Sequence, residues 1–178
     1  LLRHTSGLTY GFQNRTNIDA AYRDKGIGAF EKAGTLDSWI ADLAKIPLEF
    51  APGEAWNYSV STDIVGYIVQ KISGMPFEQF VKQRILDPLG MTDTDFHVPP
   101  SKAQRLAACY SADGQGGMTL SDDPQTSTFL SPPALISGGG GLVSTTADYL
   151  TFCRALLNGG ELGGVRLIGP KTLKLMTT

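Results

Sequence analysis

The sequence predicts a mainly helical domain with long connecting loops, and three observations lead to this fold class. At least four stretches repeat apolar residues at helical spacing and stop at glycine or proline. Strand-like stretches are short and too few to build a sheet. A length of 178 residues, with 42% hydrophobic and 18% charged residues, fits one globular domain with a real core. The chain is therefore an all-helical domain, or the helical part of a mixed protein whose sheet lies outside it.

The composition argues against several classes of protein. The net charge is -2, and Lys and Arg are scattered, which does not suit a nucleic-acid or polyanion surface. No apolar run approaches the length of a membrane span. Cys109 and Cys153 are too few for a disulfide framework, and Cys153 falls on the apolar face of a predicted helix. His4 and His97 are isolated histidines without a cysteine partner, so we expect no metal site.

Two helices are predicted in the first 50 residues. The polar stretch over residues 14–34 is typical of a long connection, often a lid or binding loop, with a short helix near residues 20–23. Thr35 then caps a second helix, which Pro47 ends. The apolar stripe of this second helix is formed by Leu36, Trp39, Ile40 and Leu43.

A turn followed by a third helix is predicted over residues 50–73. The Pro-Gly pair at residues 52–53 is a turn signal, because proline presets one central residue and glycine accepts positive φ at the next. Ser59 and Ser61 are candidate caps for the helix, and Gly74 ends it. Its apolar face consists of Ile64, Val65, Ile68, Val69 and Ile72.

Tyr58 lies just ahead of this third helix, with Asp63 in the first turn. A phenol at that place is close to unpaired N–H groups and to the positive end of the helix dipole. Both favour a tyrosinate or a strongly polarised hydroxyl. The alternative is that Tyr58 only caps the core or bonds to the backbone.

The second half of the chain starts with another helix and then loses its helical pattern. Pro76 suits the first turn of a helix whose shared face holds Phe77, Phe80, Val81 and Ile85. Residues 92–137 are interrupted by proline and glycine and are predicted to be irregular, with a possible short strand over residues 106–110. A small hairpin is expected around residues 163–164, and Pro170 starts a last helix.

Four glycines in a row, residues 138–141, precede a well-patterned helix. A flexible linker is the simplest explanation of such a run. The helix that follows at once favours instead a close approach of two backbones. Thr145 and Asp148 have the spacing of a capping box. The predicted apolar face of this helix consists of Tyr149, Leu150, Cys153, Leu156 and Leu157.

Several well-known catalytic motifs are absent from the sequence. No serine stands in Gly-x-Ser-x-Gly, which excludes a hydrolase of the nucleophile-elbow kind. The dinucleotide fingerprint and the phosphate P-loop are also missing. The carboxylates are dispersed, and no pair resembles a glycosidase dyad. From its residues alone, the chain offers a positioned tyrosine and a wall lined by glycine.

Four segments, in this order, resemble the serine β-lactamase-like superfamily, and specifically class C β-lactamases, D-alanyl-D-alanine carboxypeptidases and family VIII carboxylesterases. They are residues 1–8 (LLRHTSGL), 50–60 (FAPGEAWNYSV), 85–94 (ILDPLGMTDT) and 139–148 (GGGLVSTTAD). Together they cover nearly the whole chain. The resemblance implies a mixed (α/β, α+β) serine hydrolase fold. The chain would supply the mainly α portion, with the central antiparallel sheet mostly outside it.

The resemblance also implies roles for individual residues. In that superfamily a serine in Ser-x-x-Lys attacks the substrate carbonyl, and the lysine and a tyrosine handle its proton. Tyr58 matches that tyrosine and would act as general base and acid. Tyr10 and Phe12 match residues that line the acyl pocket, although they could merely pack the loop. Gly140 stands where class C β-lactamases place an aromatic residue, so the wall would be wider there. The superfamily assigns His4 no proton-transfer role, and the resemblance implies no cofactor and no metal.

One departure concerns the nucleophile. No serine in this chain has a lysine three residues later. We therefore expect the Ser-x-x-Lys segment to lie just before Leu1, and the superfamily's third motif, on a sheet-edge strand, to lie beyond Thr178. Residues 1–178 would then be a partial catalytic domain, the helical half plus connecting loops.

A second departure is Val60. It takes the place of the asparagine with which β-lactamases and peptidases hold an amide side chain. A valine cannot donate that hydrogen bond. In this respect the chain resembles family VIII esterases, in which the position is often aliphatic.

These features together lead to one expected function and two alternatives. The expected function is that of a bacterial-type carboxylesterase that cleaves short- to medium-chain esters through an acyl-serine intermediate. The first alternative is a class C-type β-lactamase or D-Ala-D-Ala carboxypeptidase. The second is a catalytically silent penicillin-recognition-type binding protein. The expected partner is a small-molecule ester or β-lactam-like substrate, and the bacterial cytoplasm and the periplasm both stay open as locations.

Overall fold

The structure is a computed structural model that describes residues 1–28 and 34–177. Within these residues it contains six α-helices and two short antiparallel hairpins. The helices are α1 Asn17–Lys25, α2 Leu36–Leu43, α3 Ser61–Ser73, α4 Phe77–Val81, α5 Thr146–Leu157 and α6 Pro170–Thr177. The strands are β1 Cys109–Ala112, β2 Met118–Asp122, β3 Glu161–Leu162 and β4 Val165–Arg166. The predicted predominance of helix is confirmed.

Capping boxes start the first two helices. The Thr16 hydroxyl accepts from the Asp19 N–H, and the Asp19 carboxylate accepts from the Thr16 N–H. Thr35 and Ser38 form the same reciprocal pair at the start of α2, as the predicted cap at Thr35 requires. The short helix expected near residues 20–23 is the longer α1. Residues 29–33 of the predicted connection over residues 14–34 lie outside the described residues.

The predicted caps of α3 are wrong. Its N-cap is Val60, and no side chain bonds to the first turn from that position. The Ser59 and Ser61 hydroxyls bond to each other instead, with the two oxygens 2.7 Å apart. Both serines have tertiary partners, which outcompete the local cap. Gly74 ends α3 at φ 70°, as predicted.

The middle of the chain holds one strand that the sequence did not reveal. The predicted strand over residues 106–110 corresponds to β1, which starts three residues later. It pairs with β2, in a stretch predicted to be irregular. Nearly every residue of this hairpin is exposed, so its sequence lacks the alternation by which a half-buried strand is recognised. The hairpin predicted around residues 163–164 is confirmed as β3–β4.

Helix α5 buries a different face from the predicted one. The Thr145 hydroxyl accepts from the Asp148 N–H, but the Asp148 carboxylate turns to the Asp93 N–H and the Thr94 hydroxyl instead of completing a capping box. Ala155 is fully buried, and Phe152 packs against a hydrophobic core. The predicted apolar face is wrong at three positions, which are exposed: Tyr149, Leu150 and Leu157.

Two hydrophobic clusters form the core. The first lies under α1, α2 and the start of α3 and includes Leu8, Tyr10, Tyr22, Ile27, Leu36, Trp39, Leu43, Val60 and Leu135. The second lies beside α4 and contains Val81, Leu86, Met91 and Phe96. Burial raises the pKa of Tyr22, in the first cluster, to about 12. None of the helices in the described part of the chain is long and apolar enough to cross a membrane.

Candidate active site

Tyr58 lies at the surface, two residues ahead of the N-cap of α3. Its side chain is 48% exposed, so it is not simply part of the core. Its ring centroid lies 5.1 Å from that of Tyr10 and 5.1 Å from that of His4. The segment before α3 and the segment over residues 4–12 therefore meet at this phenol. The predicted position of Tyr58 ahead of the helix is confirmed, and its chemical role stays a prediction.

Tyr10 and Phe12 form an aromatic wall beside Tyr58. Their rings stack with centroids 4.9 Å apart. Tyr10 is buried, whereas Phe12 is 65% exposed, and their predicted place in an acyl pocket stays a prediction. Burial, the charge of Asp63 and contact with Tyr58 raise the pKa of Tyr10 far above its ordinary value. Tyr10 is therefore a neutral hydrogen-bond donor, and its hydroxyl donates to Asp63 Oδ2 over 3.4 Å.

Asp63 joins this aromatic wall to the glycine run. Its Oδ1 accepts from the Ser137 hydroxyl and, over 3.4 Å, from the Gly139 N–H. Its side chain is buried, and its two oxygens accept from three donors in two separate segments of the chain. A buried carboxylate is tolerated when donors surround it in this way. The sequence placed Asp63 only in the first turn of a helix, because no local pattern reports a contact between residues 74 positions apart.

The glycine run crosses the first turns of α3 at close range, as predicted. A Cβ on Gly138 would lie 2.3 Å from the Thr62 carbonyl oxygen, and one on Gly139 would lie 2.6 Å from Thr62 Oγ1. Both distances are too short for any side chain. Gly140 differs, because no heavy atom lies within 4 Å of the corresponding point. The wall is open at Gly140, and its predicted role beside a substrate stays a prediction.

Val60 lies beneath the site and not on its surface. Its side chain is fully buried in the first cluster, and its N–H faces the Thr9 carbonyl oxygen at 3.3 Å. The position therefore supports the turn that carries Tyr58 and offers no polar group to a ligand. The part of this position in substrate recognition, which the resemblance implied, stays a prediction.

Asn57, next to Tyr58, is a structural residue that the sequence did not single out. It is buried, and its Nδ2 donates to the Leu8 carbonyl and to Glu49 Oε2, both over 2.9 Å. Its Oδ1 accepts from the Arg15 guanidinium over 2.7 Å. The side chain thus fixes the Tyr58 turn against the segment that carries Tyr10. An asparagine beside a tyrosine in a turn carries no signal of this in the sequence.

Metal ligands are not grouped in this region or elsewhere in residues 1–28 and 34–177. No three His, Cys, Asp or Glu side chains among them come together as a metal site. Cys109 is exposed on β1, and Cys153 is partly buried on α5.

A comparison with models of protein families shows which family this chain belongs to. The model described as Beta-lactamase matches residues 1–178. The chain belongs to the Beta-lactamase family. This family has a mixed serine hydrolase fold, so the helix-rich chain is its α portion, as the four segments had implied.

The curated relatives of this chain carry names that point to more than one activity. Protein Rv1367c of Mycobacterium tuberculosis is 40% identical over 178 residues, which are 100% of this chain and 43% of the relative. A putative D-alanyl-D-alanine carboxypeptidase of Escherichia coli is 31% identical, over 100% of this chain and 42% of its own length. Esterase EstB of Burkholderia gladioli is 32% identical, over 88% of this chain and 43% of its own length. The chain thus spans less than half the length of these relatives.

Two solved structures superpose on nearly the whole chain. EstCE1, a hydrolase with promiscuous acyltransferase activity, is 25% identical and has a TM-score of 0.76 over 98% of this chain and 48% of its own. Simvastatin synthase (LovD) from Aspergillus terreus is 27% identical and has a TM-score of 0.74 over 99% of this chain and 41% of its own. The chain therefore has the fold of this family, whose members are serine hydrolases.

Proposed function

We propose that this chain is part of the catalytic domain of a carboxylesterase that cleaves short- to medium-chain esters through an acyl-serine intermediate. The observation that carries the proposal is the half-exposed Tyr58 phenol, held ahead of α3 beside the apolar wall of Tyr10 and Phe12. The similarity to esterase EstB supports it. The serine nucleophile and its lysine are proposed to belong to a Ser-x-x-Lys segment of the whole protein outside residues 1–178.

In the proposed reaction Tyr58 acts first as base and then as acid. The serine oxygen forms a bond to the ester carbonyl carbon while its proton passes to the Tyr58 oxygen, which acts in this step as the phenolate. The tetrahedral intermediate then collapses, the ester C–O bond breaks, and Tyr58 returns the proton to the leaving alcohol. Water repeats the sequence on the acyl-serine, and the products are an alcohol and a carboxylic acid. The exposed face of Phe12 and the open position at Gly140 suit an apolar acyl chain in this scheme.

A D-Ala-D-Ala carboxypeptidase is the second candidate function, because relatives with that name match this chain as well as the esterase does. Val60 argues against it. Its fully buried, apolar side chain gives a peptide amide no hydrogen-bond partner where peptidases present an asparagine. A site that lacks such a partner discriminates poorly in favour of an amide substrate.

The test compares substrates on the full-length protein that contains this chain. We would measure kcat/KM for a series of p-nitrophenyl esters, for a D-Ala-D-Ala peptide and for a chromogenic β-lactam. Intact mass after treatment with a fluorophosphonate would count the reactive serines. The expected result is one added phosphonate and a higher kcat/KM for esters of short and medium chain than for the peptide or the β-lactam.

The matched variants are Tyr58→Phe and Tyr110→Phe. Removing the Tyr58 hydroxyl should lower kcat by about 10²- to 10⁴-fold, the range for loss of a general acid or base. Tyr110 is an exposed phenol on β1, so its variant should keep wild-type activity. Preference for the peptide would establish the second candidate instead. A protein that takes no phosphonate and turns over no substrate would be a silent binding protein.

A further inference from the structure

His4 holds both neighbours of Tyr58. Its carbonyl accepts from the Asn57 N–H over 2.8 Å, and its ring Nδ1 accepts from the Ser59 N–H over 3.3 Å. Its ring also lies against Trp56, with the centroids 6.0 Å apart. Tyr58 is thus bracketed by two hydrogen bonds to one residue, whose ring contacts its own.

The backbone of His4 is in an unusual conformation that its contacts impose. Its φ is 54°, in the left-handed region that non-glycine residues seldom adopt. Strained residues of this kind persist where the surrounding structure holds them, and they cluster at functional sites. At His4 the conformation lets the carbonyl and the ring face the Tyr58 turn together.

A chain of hydroxyl groups ends at this imidazole. The Leu8 N–H donates to Ser6 Oγ, which lies 2.7 Å from Ser61 Oγ. Ser61 Oγ lies 2.7 Å from Ser59 Oγ, which lies 3.3 Å from His4 Nδ1. Ser59 and Ser61 are fully buried, so each hydroxyl needs its partner within this chain of groups.

The backbone N–H groups at its two ends fix one acceptor each. A backbone N–H can only donate, so Ser6 Oγ accepts from Leu8 and His4 Nδ1 accepts from Ser59. Each serine hydroxyl can then donate to the next group, from Ser6 through the two buried serines to the imidazole. This arrangement requires a lone pair on Nδ1, and the ring proton then resides on Nε2.

We propose that His4, as the neutral imidazole protonated on Nε2, is a positioning residue for Tyr58. This role rests on the proposed function of Tyr58. Nδ1 of His4 is the acceptor that fixes the turn around that phenol. A proton on Nδ1 would face the Ser59 N–H with another donor and would remove the acceptor of that hydrogen bond. The groups against the ring are Trp56, Ser59 and Tyr58, and Tyr58 is the titratable one among them.

Three variants of the full-length protein separate the effect of the Nδ1 acceptor of His4 from the effect of its aromatic ring. His4→Asn puts an amide oxygen where Nδ1 accepts, tolerates positive φ and does not titrate. His4→Phe keeps a ring against Tyr58 but removes the acceptor. His97→Asn is the matched control, because His97 lies in the connection before residues 99–100 and outside this network.

The expected effects are on kcat for ester hydrolysis. His4→Phe should lower kcat by about 10- to 100-fold with KM nearly unchanged, because a small displacement of a catalytic group costs about that much. His4→Asn should restore most of that loss. Wild-type kcat in His4→Phe, or no rescue by His4→Asn, would overturn the proposal.

A second measurement does not depend on turnover. Nitrogen-15 NMR of the wild-type imidazole should show a protonated Nε2 and an acceptor Nδ1 on His4 near neutral pH. A proton on Nδ1 would overturn the proposal whatever the activity. If no ester is hydrolysed, while the expected tautomer is found and His4→Phe shifts the Tyr58 ring resonances, the proposed function fails and the positioning role stands.

Discussion

The start of α3 and the outer faces of α5 and α6 differ in which side chains they bury and which they expose. At the start of α3 polar side chains are buried, including those of Ser61 and Asp63. On α5 and α6 large apolar side chains are exposed, and Leu157 is 85% exposed. Exposed apolar side chains are common on protein surfaces, whereas buried polar ones persist only where partners satisfy them. Buried polar side chains with specific hydrogen-bond partners therefore locate the candidate site better than the spacing of apolar residues does.

The sharpest test of this comparison uses two leucines. Leu86→Ala removes a buried side chain from the second cluster and should lower the free energy of unfolding by about 2–5 kcal/mol. Leu157→Ala should change it by no more than about 0.5 kcal/mol, because that side chain is already in solvent. Urea unfolding of the full-length protein measures both. Equal losses would mean that the α5 face is covered in the whole protein.

The next test concerns the buried polar cluster. Asp63→Ala leaves the Tyr10 hydroxyl, the Ser137 hydroxyl and the Gly139 N–H without their acceptor and should cost about 2–4 kcal/mol of stability. Asp24→Ala, on the exposed side of α1, is the matched control and should be neutral within about 0.5 kcal/mol. Thermal or urea unfolding reports both values. A neutral Asp63→Ala variant would show that the cluster is not held by this carboxylate.

A smaller effect is expected at the glycine run. Gly138→Ala places a methyl group 2.3 Å from the Thr62 carbonyl oxygen, so α3 and the run must move apart, at a cost of about 1–3 kcal/mol. Gly140→Ala meets no atom within 4 Å and should leave stability nearly unchanged. The two unfolding curves test the close approach directly. Identical curves would contradict it.

The smallest effect is expected from a surface cluster. Hydrogen bonds from Arg105 and Lys102 hold the pKa of Asp93 well below its ordinary value. A carboxylate with a depressed pKa stabilises the fold above the ordinary Asp pKa of about 3.9 and loses that contribution as the pH falls below it. Asp93→Asn should therefore lower stability slightly at neutral pH and reduce its decline in acid. A parallel acid decline in both proteins would argue against the shift.

Much of the fold follows from short-range chemistry that the sequence shows directly. Gly74 ends α3 because a left-handed residue is needed there, and Thr35 starts α2 because its hydroxyl reaches the first turn. The position of Tyr58 ahead of α3 likewise follows from short-range signals, the Pro-Gly turn before it and the helical pattern after it. The tight passage of residues 138–139 was also predictable, because only glycine fits such an approach.

Tertiary structure alone decided which distant groups meet. Ser59 and Ser61 had the sequence of caps, yet their hydroxyls lie within hydrogen-bond distance of His4 and Ser6, each 55 residues away. Asp63 meets Ser137 across 74 residues, and α5 turns Ala155 inward where the apolar pattern favoured Leu157. The sequence by itself determined where α2 begins, where α3 ends and where the phenol stands, because those depend on neighbours within one helical turn. Which face is buried and which donors surround a carboxylate depend on the packing of separate segments, and no local pattern contains that information.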